Sequence, residues 1–301
     1  MTASRGVLFV PLIGFRLLAA YGLFASASGG DEAPCPRLPD RALPIYTLLV
    51  PLYREAHMLP ALARALSRLD YPAAKLDIKI ILEASDRVTI AAARALRLPG
   101  MFELVVVPEL APRTKPKALN YALPLARGDY IAIYDAEDRP ESGQLRQALN
   151  AFRTGPLNLA AVQARLGVYN PLDAFLTRQF TVEYCALFDG LLPALDRLEL
   201  PLPLGGTSNH FRASALKWLM AWDPFNVTED ADLGIRLARN GYRCRMLGST
   251  TYEEAPSTYL SWLRQRTRWV KAIYRLGSCT CATPAHFGGS SARAAFWPFR
   301  S

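Results

Sequence analysis

Ile45 to Val50 is a short apolar run with β-branched and aromatic members, closed by Pro51, and it predicts a buried strand. Across Glu55 to Leu69 the apolar residues recur at helical spacing (Leu59, Leu62, Ala63, Leu66), which predicts a helix. The alternation then repeats. Asp77 to Leu82 reads as a second strand ending at Glu83-Ala84-Ser85-Asp86, and Arg87 to Leu96 as a helix. Phe102 to Val107 reads as a third strand, Pro116 to Ala126 as a helix, and Tyr130 to Tyr134 as a fourth strand running straight into Asp135. Much later, Asp232 opens an amphipathic helix. Strands that are near-continuous apolar runs, alternating with helices, imply an α/β fold with a mostly parallel central sheet covered on both faces. Ligands of such sheets bind beyond the carboxyl ends of the strands. Tyr53, Glu83, Asp86 and the acids at 135–138 stand there. No internal repeat is visible.

At 301 residues, 51% apolar and 20% charged, the chain has the length and composition of a folded protein with a substantial core. A net charge of +9 points to an anionic partner. The basic residues are dispersed except at Arg264 to Lys271 and form no stripe interleaved with aromatics, which argues against nucleic acid. Five cysteines with no C-x-x-C spacing argue against a disulfide framework or a zinc site, and Cys279-x-Cys281 with only His286 nearby is a poor metal set.

Val7 to Ala25 has about the length of a bilayer-spanning helix, weakened by Pro11, Gly14 and a central Arg16 that costs about 2.5–3.5 kcal/mol on insertion scales. The expectation is a hydrophobic N-terminal helix that anchors the chain to a membrane or lies on it. A cleaved signal ending near Ala25-Ser26-Ala27 competes with it. The expected organisation is an N-terminal helix over 1–30, a proline- and charge-rich linker over 31–44, a main domain over 45–275 and an irregular tail over 276–301.

Three clusters carry the chemistry. Asp135-Ala136-Glu137-Asp138 follows a strand, where hard carboxylate oxygens suit a divalent cation on a diphosphate, although an acidic turn in solvent has the same composition. Thr228-Glu229-Asp230 sits just before the later helix. Acids are favoured there by capping and the helix dipole, but Asp230 is also a candidate general base, and the polar stretch Gly205-Gly206-Thr207-Ser208-Asn209-His210 precedes it. Gln265, Arg268 and Trp269 share one helical face, with a cation for phosphate and a flat ring for a sugar or base. A lipid-facing interfacial helix explains the same residues. No glycine-rich phosphate fingerprint is present, so phosphate falls to a metal and to Arg113, Lys115 and Lys117. Together these are the parts for moving a sugar off a nucleoside diphosphate.

From about Ile45 to Tyr274 the order and spacing of these motifs resemble family 2 glycosyltransferases, of the membrane-associated branch with cellulose, hyaluronan and glucosyl-lipid synthases. The resemblance implies a GT-A fold. It also implies an inverting hexosyl transfer from a nucleotide sugar, a UDP-sugar, assisted by Mg²⁺ or Mn²⁺, to a lipid or polysaccharide acceptor at the cytoplasmic face of a membrane. Pro51 and Tyr53 resemble the first-strand nucleotide contact, with Glu55 among the donor-binding positions, and Glu83 and Asp86 take the place of the acids that read the base. Lys115 resembles the lysine near the diphosphate, and Asp135 the first metal acid, with Glu137 or Asp138 as the second. Asp230 matches the general base, and Glu229, His210, Gln265, Arg268 and Trp269 fall among the acceptor- or diphosphate-binding positions. Processive relatives continue into several transmembrane helices, whereas Leu276 to Ser301 has no segment of spanning length. The expectation is a chain without a polymer channel, non-processive or even impaired. A nucleotide-sugar-binding pseudoenzyme and a nucleotidyltransferase are the alternatives.

Overall fold

The computed structural model describes residues 38–226 and 228–267, with Gly14 and Leu17. Its centre is an eight-stranded sheet. In chain order the strands are β1 (Tyr46–Leu52), β2 (Leu76–Glu83), β3 (Phe102–Val107), β4 (Tyr130–Ile133), β5 (Arg139–Pro140), β6 (Leu159–Val168), β7 (Asn209–Arg212) and β8 (Arg243–Glu253). Their spatial order is β3-β2-β1-β4-β7-β6-β8-β5. The β3-β2-β1-β4 half is all parallel, as is the β6-β8 pair, while β7 runs antiparallel to both its neighbours and β5 antiparallel to β8. The sheet is therefore mostly parallel, as the apolar runs imply.

Helices cover both faces because the strands alternate large apolar side chains between them. Leu48, Val50, Ile78 and Ile80 pack with Leu59, Leu62 and Leu66 of α1 (Leu59–Ser67), Ala93 of α2 (Arg87–Ala95) and Leu145 and Leu149 of α4 (Gln144–Thr154). Leu49, Ile81, Ile131 and Ile133 face the other way, onto Ala118, Leu119 and Ala122 of α3 (Lys115–Ala122). Each such side chain, fully buried, stabilises the fold by about 1.5–3 kcal/mol relative to exposure. A third cluster joins Phe180 and Tyr184 of α5 (Phe175–Cys185) to Leu192 and Leu195 of α6 (Leu192–Arg197). Two more helices complete the set, α7 (Ala213–Trp218) and α8 (Glu229–Arg239), and residues 259–267 are helical.

Prolines trim two predicted helices. The helix expected from Glu55 begins at Leu59, because Pro60 is tolerated only in a first turn. The helix expected to reach Ala126 ends at Ala122, and Pro124 sits in the 3₁₀ turn that follows. The second strand is also less apolar inside than its run implies. Lys79, 1% exposed, pairs with Asp77 at 3.0 Å and with Glu103, and Asp77 also takes the Thr47 hydroxyl at 2.8 Å and the Arg127 guanidinium. Buried charge is tolerated here because every member has a partner.

Among the described residues no helix is long and apolar enough to cross a membrane. The segment from Val7 to Ala25 lies outside the described residues save for two positions, and the tail after residue 267 lies wholly outside them.

Candidate active site

The antiparallel β7 decides where the site forms. Asn209 pairs with Ile133, so the amino end of β7 lies beside the carboxyl end of β4. The loop from Gly205 to Ser208 is thereby placed against Asp135, with the Ser208 N–H donating to the Ile133 carbonyl at 2.8 Å. The same loop meets the start of α8, where a β-carbon built on Gly206 would stand 3.2 Å from Asp230 Oδ2. A strand end, a glycine loop and a helix N-terminus thus bring the first two acidic clusters together.

Lys115, at the first turn of α3, bridges them. Thr114 caps this helix by accepting from the Lys117 N–H, and Pro116 occupies its first turn. The Lys115 ammonium lies 2.5 Å from Asp135 Oδ1 and donates to the Gly206 carbonyl at 2.6 Å. Burial would lower its pKa, but Asp135, Glu229 and Asp230 outweigh that and hold the lysine charged, with a pKa raised above its ordinary value.

Glu137 and Asp138 part company. Asp138 is 1% exposed, and its Oδ2 accepts from the Asp135 N–H at 2.7 Å and from the Thr207 hydroxyl. Burial and the nearby Asp135 raise its pKa well above the ordinary carboxylate value. Its carboxyl group supports the turn from beneath. Glu137 is half-buried, and burial together with Asp135, Glu55 and Glu254 pushes its pKa up to about 7. That crowd of acids is what a divalent cation relieves. Among the described residues no three His, Cys, Asp or Glu side chains converge as a metal cage. One or two carboxylates completed by phosphate oxygens is nonetheless the usual provision for Mg²⁺. Asp135 and Glu137 fit that provision, and Asp138 Oδ1 beside them in sequence is buried with no hydrogen-bond partner.

At the start of α8, Glu229 is buried and Asp230 half-buried. Burial, then the charge of Asp230, pushes the Glu229 pKa up to about 8. Burial also raises Asp230, against the Ala231 N–H, which donates to Oδ1 at 2.9 Å, and against Lys115. Two adjacent carboxyls of this kind raise one another's pKa, so the pair holds its first proton more tightly than either would alone.

The nucleotide-side residues line the ends of β1 and β2. Arg54, at φ 60°, turns its N–H to Asp86 Oδ2 at 2.5 Å and sets its guanidinium 5.1 Å from the centre of the exposed Tyr53 ring. Burial opposes ionisation of Asp86, but bonds from Thr89 and Arg54 win and lower its pKa. Glu83 holds Lys117 at 2.8 Å, Pro51 lies within β1, and Glu55 contributes to the field on Glu137. His210 goes elsewhere. It is fully buried between the Tyr46 hydroxyl (2.8 Å to Nδ1) and Gln144 Oε1 (3.3 Å from Nε2), and burial lowers its pKa to about 3. As an alternate side chain on β7 it points into the core, so it presents no ring to an acceptor. Gln265 is half-buried on the helical turn, while Arg268 and Trp269 lie outside the described residues.

The family model "Glycosyltransferase like family 2" matches residues 44–272. The chain belongs to this family. Among its relatives is the probable glycosyltransferase YdaM of Bacillus subtilis (strain 168), 28% identical over 237 residues, covering 77% of this chain and 56% of that protein. Another is the beta-monoglucosyldiacylglycerol synthase of Trichormus variabilis, 27% identical over 238 residues, 78% of this chain and 50% of that protein. The chain thus spans about half the length of these curated relatives. Among solved structures it resembles the mannosyltransferase PcManGT from Pyrobaculum calidifontis in complex with GDP-Man and Mn²⁺. That likeness has a TM-score of 0.69 and 23% identity over 92% of this chain and 75% of the other. It also resembles S. aureus TarS 1–349 in complex with UDP-GlcNAc, at a TM-score of 0.54 and 16% identity over 71% and 59%. These likenesses establish the GT-A fold.

Two residues of this family 2 site escaped the sequence reading. Thr207, which holds Asp138, sits in the polar stretch from Gly205 to His210. Gln163, 1% exposed on β6, bonds to the glycine loop. The available signal was a lone amide inside the apolar run from Leu159 to Ala164.

Proposed function

We propose that the chain transfers a sugar from a nucleoside diphosphate donor, a UDP-sugar, to a hydroxyl acceptor with inversion at the anomeric carbon. The observation that carries this reading is the Lys115 bridge, one ammonium spanning Asp135 at the end of β4 and Gly206 beside Asp230. Negative charge develops on the leaving diphosphate, and fixed positive charge lowers that barrier. Lys115 is positioned to supply it. Asp135 and Glu137 would hold Mg²⁺ or Mn²⁺, which when bound adds charge on the same oxygens. Asp230 takes the proton of the acceptor hydroxyl, whose oxygen attacks the anomeric carbon opposite the departing diphosphate. Burial pushes the Glu229 pKa up to about 8, which favours a protonated carboxyl beside Asp230. The exposed Tyr53 is available to the base at the carboxyl end of β1, where this sheet type takes nucleotides, and buried Asp86 braces the turn beside it through the Arg54 N–H.

The acceptor in this reading is a lipid or polysaccharide end at the cytoplasmic face of a membrane. Exposed Phe175 and Val182 on α5, and Tyr259, Leu260 and Leu263 on the 259–267 helix, support it. The two helices adjoin through Arg266, which pairs with Glu183 and lies 5.7 Å from the Phe180 ring centre. Apolar side chains beside arginines are the composition of an interfacial helix pair.

Release of nucleoside diphosphate from UDP-sugars and GDP-mannose, with Mn²⁺ or with chelator, tests the reading. Metal-dependent release from at least one donor is expected. Donor binding without any release, with lipid and oligosaccharide acceptors supplied, would reduce the chain to a nucleotide-sugar-binding protein.

A further inference from the structure

We infer that Gln163 is a positioning residue for the proposed transfer, holding the loop at Gly205 to Thr207 so that Gly206 serves both Lys115 and Asp230. The inference rests on the reading of the site as a glycosyltransferase centre. Gln163 lies in the middle of β6, paired with Asn209 of β7 on one side and Met246 of β8 on the other. Its amide is 1% exposed, in a strand whose neighbours Ala161, Val162 and Ala164 are apolar and fully buried. A buried amide is unfavourable unless its groups are bonded, and here they are. The Gly205 N–H donates to Oε1 at 2.7 Å, and Nε2 donates to the carbonyls of Thr207 at 3.0 Å and Ala164 at 2.9 Å. The orientation is forced, since an N–H needs an acceptor and the two carbonyls need a donor.

The loop is gripped on both sides of Gly206. The Gly205 carbonyl accepts from Asn209 Nδ2 at 2.5 Å, and the Thr207 hydroxyl donates to Asp138. Ser208 holds φ at +56°, a left-handed conformation that a non-glycine residue adopts at a cost and keeps only when its surroundings impose it. Gly206, between the clamped residues, is the one that meets the chemistry. Its carbonyl takes the Lys115 ammonium, and a β-carbon there would crowd Asp230 at 3.2 Å. The missing side chain leaves the front of Asp230 open to an acceptor hydroxyl. Gln163 touches no reacting group itself and acts through this glycine.

The test uses the whole chain and three variants: Gln163→Met, Gly206→Ala and both together. Gln163→Met keeps side-chain length and removes both bonds to the loop. Amide hydrogen exchange of the peptide covering 204–208 should accelerate about tenfold or more while β1 and β2 stay protected. With UDP-glucose or GDP-mannose and Mn²⁺, kcat for nucleoside diphosphate release should fall up to about 100-fold and KM should stay within about twofold. Gly206→Ala, with the clamp intact, should lower kcat in the same way without faster exchange. The double variant should be no worse than the worse single one, because both act through one position. Unchanged exchange in Gln163→Met overturns the inference. So does unchanged kcat, a rise in KM in place of a fall in kcat, or simple additivity in the double variant. If the unaltered protein releases nothing from any donor, the glycosyl-transfer reading fails instead, and the exchange measurement still decides whether Gln163 holds the loop.

Discussion

The ammonium of Lys115 lies 2.5 Å from Asp135 Oδ1, on the carboxylate proposed to hold the metal. In the proposed reaction lysine and a divalent cation would address the same carboxylate.

Lys115→Met is expected to bind Mn²⁺ alone about tenfold more tightly than the unaltered protein, since a competing charge near Asp135 is gone. Donor turnover should fall by about 100-fold or more, as removal of a charge-stabilising donor does elsewhere. Titration calorimetry with Mn²⁺ and nucleoside diphosphate release are the two measurements. Weaker Mn²⁺ binding in this variant would move the metal away from Asp135.

Asp230→Asn should cost about 10²–10⁴-fold in kcat, the usual contribution of a general base, with nucleoside diphosphate affinity kept. Glu229→Gln should stay within several-fold of full activity, because a neutral amide imitates the protonated carboxyl. Its acid limb should remain above the ordinary carboxylate range, since burial is the leading cause of the rise at Asp230. A reversed ranking of the two variants would transfer the base role to Glu229.

Thr207→Val keeps the side-chain shape and removes the hydroxyl that donates to buried Asp138 and, at 3.3 Å, contacts the Ile133 carbonyl. Leaving a buried carboxyl short of a donor should destabilise the fold by about 1–3 kcal/mol in urea unfolding. The turn that presents Asp135 should loosen with it, weakening Mn²⁺ binding in the presence of nucleoside diphosphate.

His210 makes stability depend on pH. Its pKa falls to about 3 in the folded protein, so between there and the unfolded value of about 6.5 only the unfolded chain binds the proton. Stability from this group is complete above pH 6.5 and is lost as pH falls, by about 1.4 kcal/mol per unit. Tyr46, Tyr134 and Gln144, the groups facing the ring, do not titrate in that window. The unfolding free energy of His210→Gln should show a slope shallower by about one proton between pH 6.5 and 5. Equal slopes would mean that the folded ring takes up the proton after all.

The parallel half of the sheet was legible because its signals are local. The apolar runs at 45–50, 77–82, 102–107 and 130–134 each became a strand, with ends displaced by a residue or so. Asp135 follows β4 for the same reason, since a strand end dictates where the next side chains emerge. The second half was not legible. β8 reads Arg-Cys-Arg-Met-Leu-Gly-Ser-Thr-Thr-Tyr-Glu, too polar for a buried run, and its pairing with β6 over a large sequence separation is what makes it a strand. Asp138 and Glu137 could not be ranked from D-A-E-D, because the full burial of Asp138 depends on Thr207, far along the chain.

By itself the sequence determined the α/β alternation, the strand ends that carry Tyr53, Glu83, Asp86 and Asp135, and the order of motifs that places the chain in its family. Periodicity and order are properties of neighbouring residues, and neighbours are what a sequence records. Only the tertiary structure decided that β7 runs antiparallel, and with it that Gly206 reaches Lys115 and Asp230, that His210 turns into the core, and that Gln163 grips the loop. Those outcomes depend on which buried polar group finds which partner across the sheet. Desolvation makes an unpaired one costly, so the final packing selects partners that the chain's order leaves open.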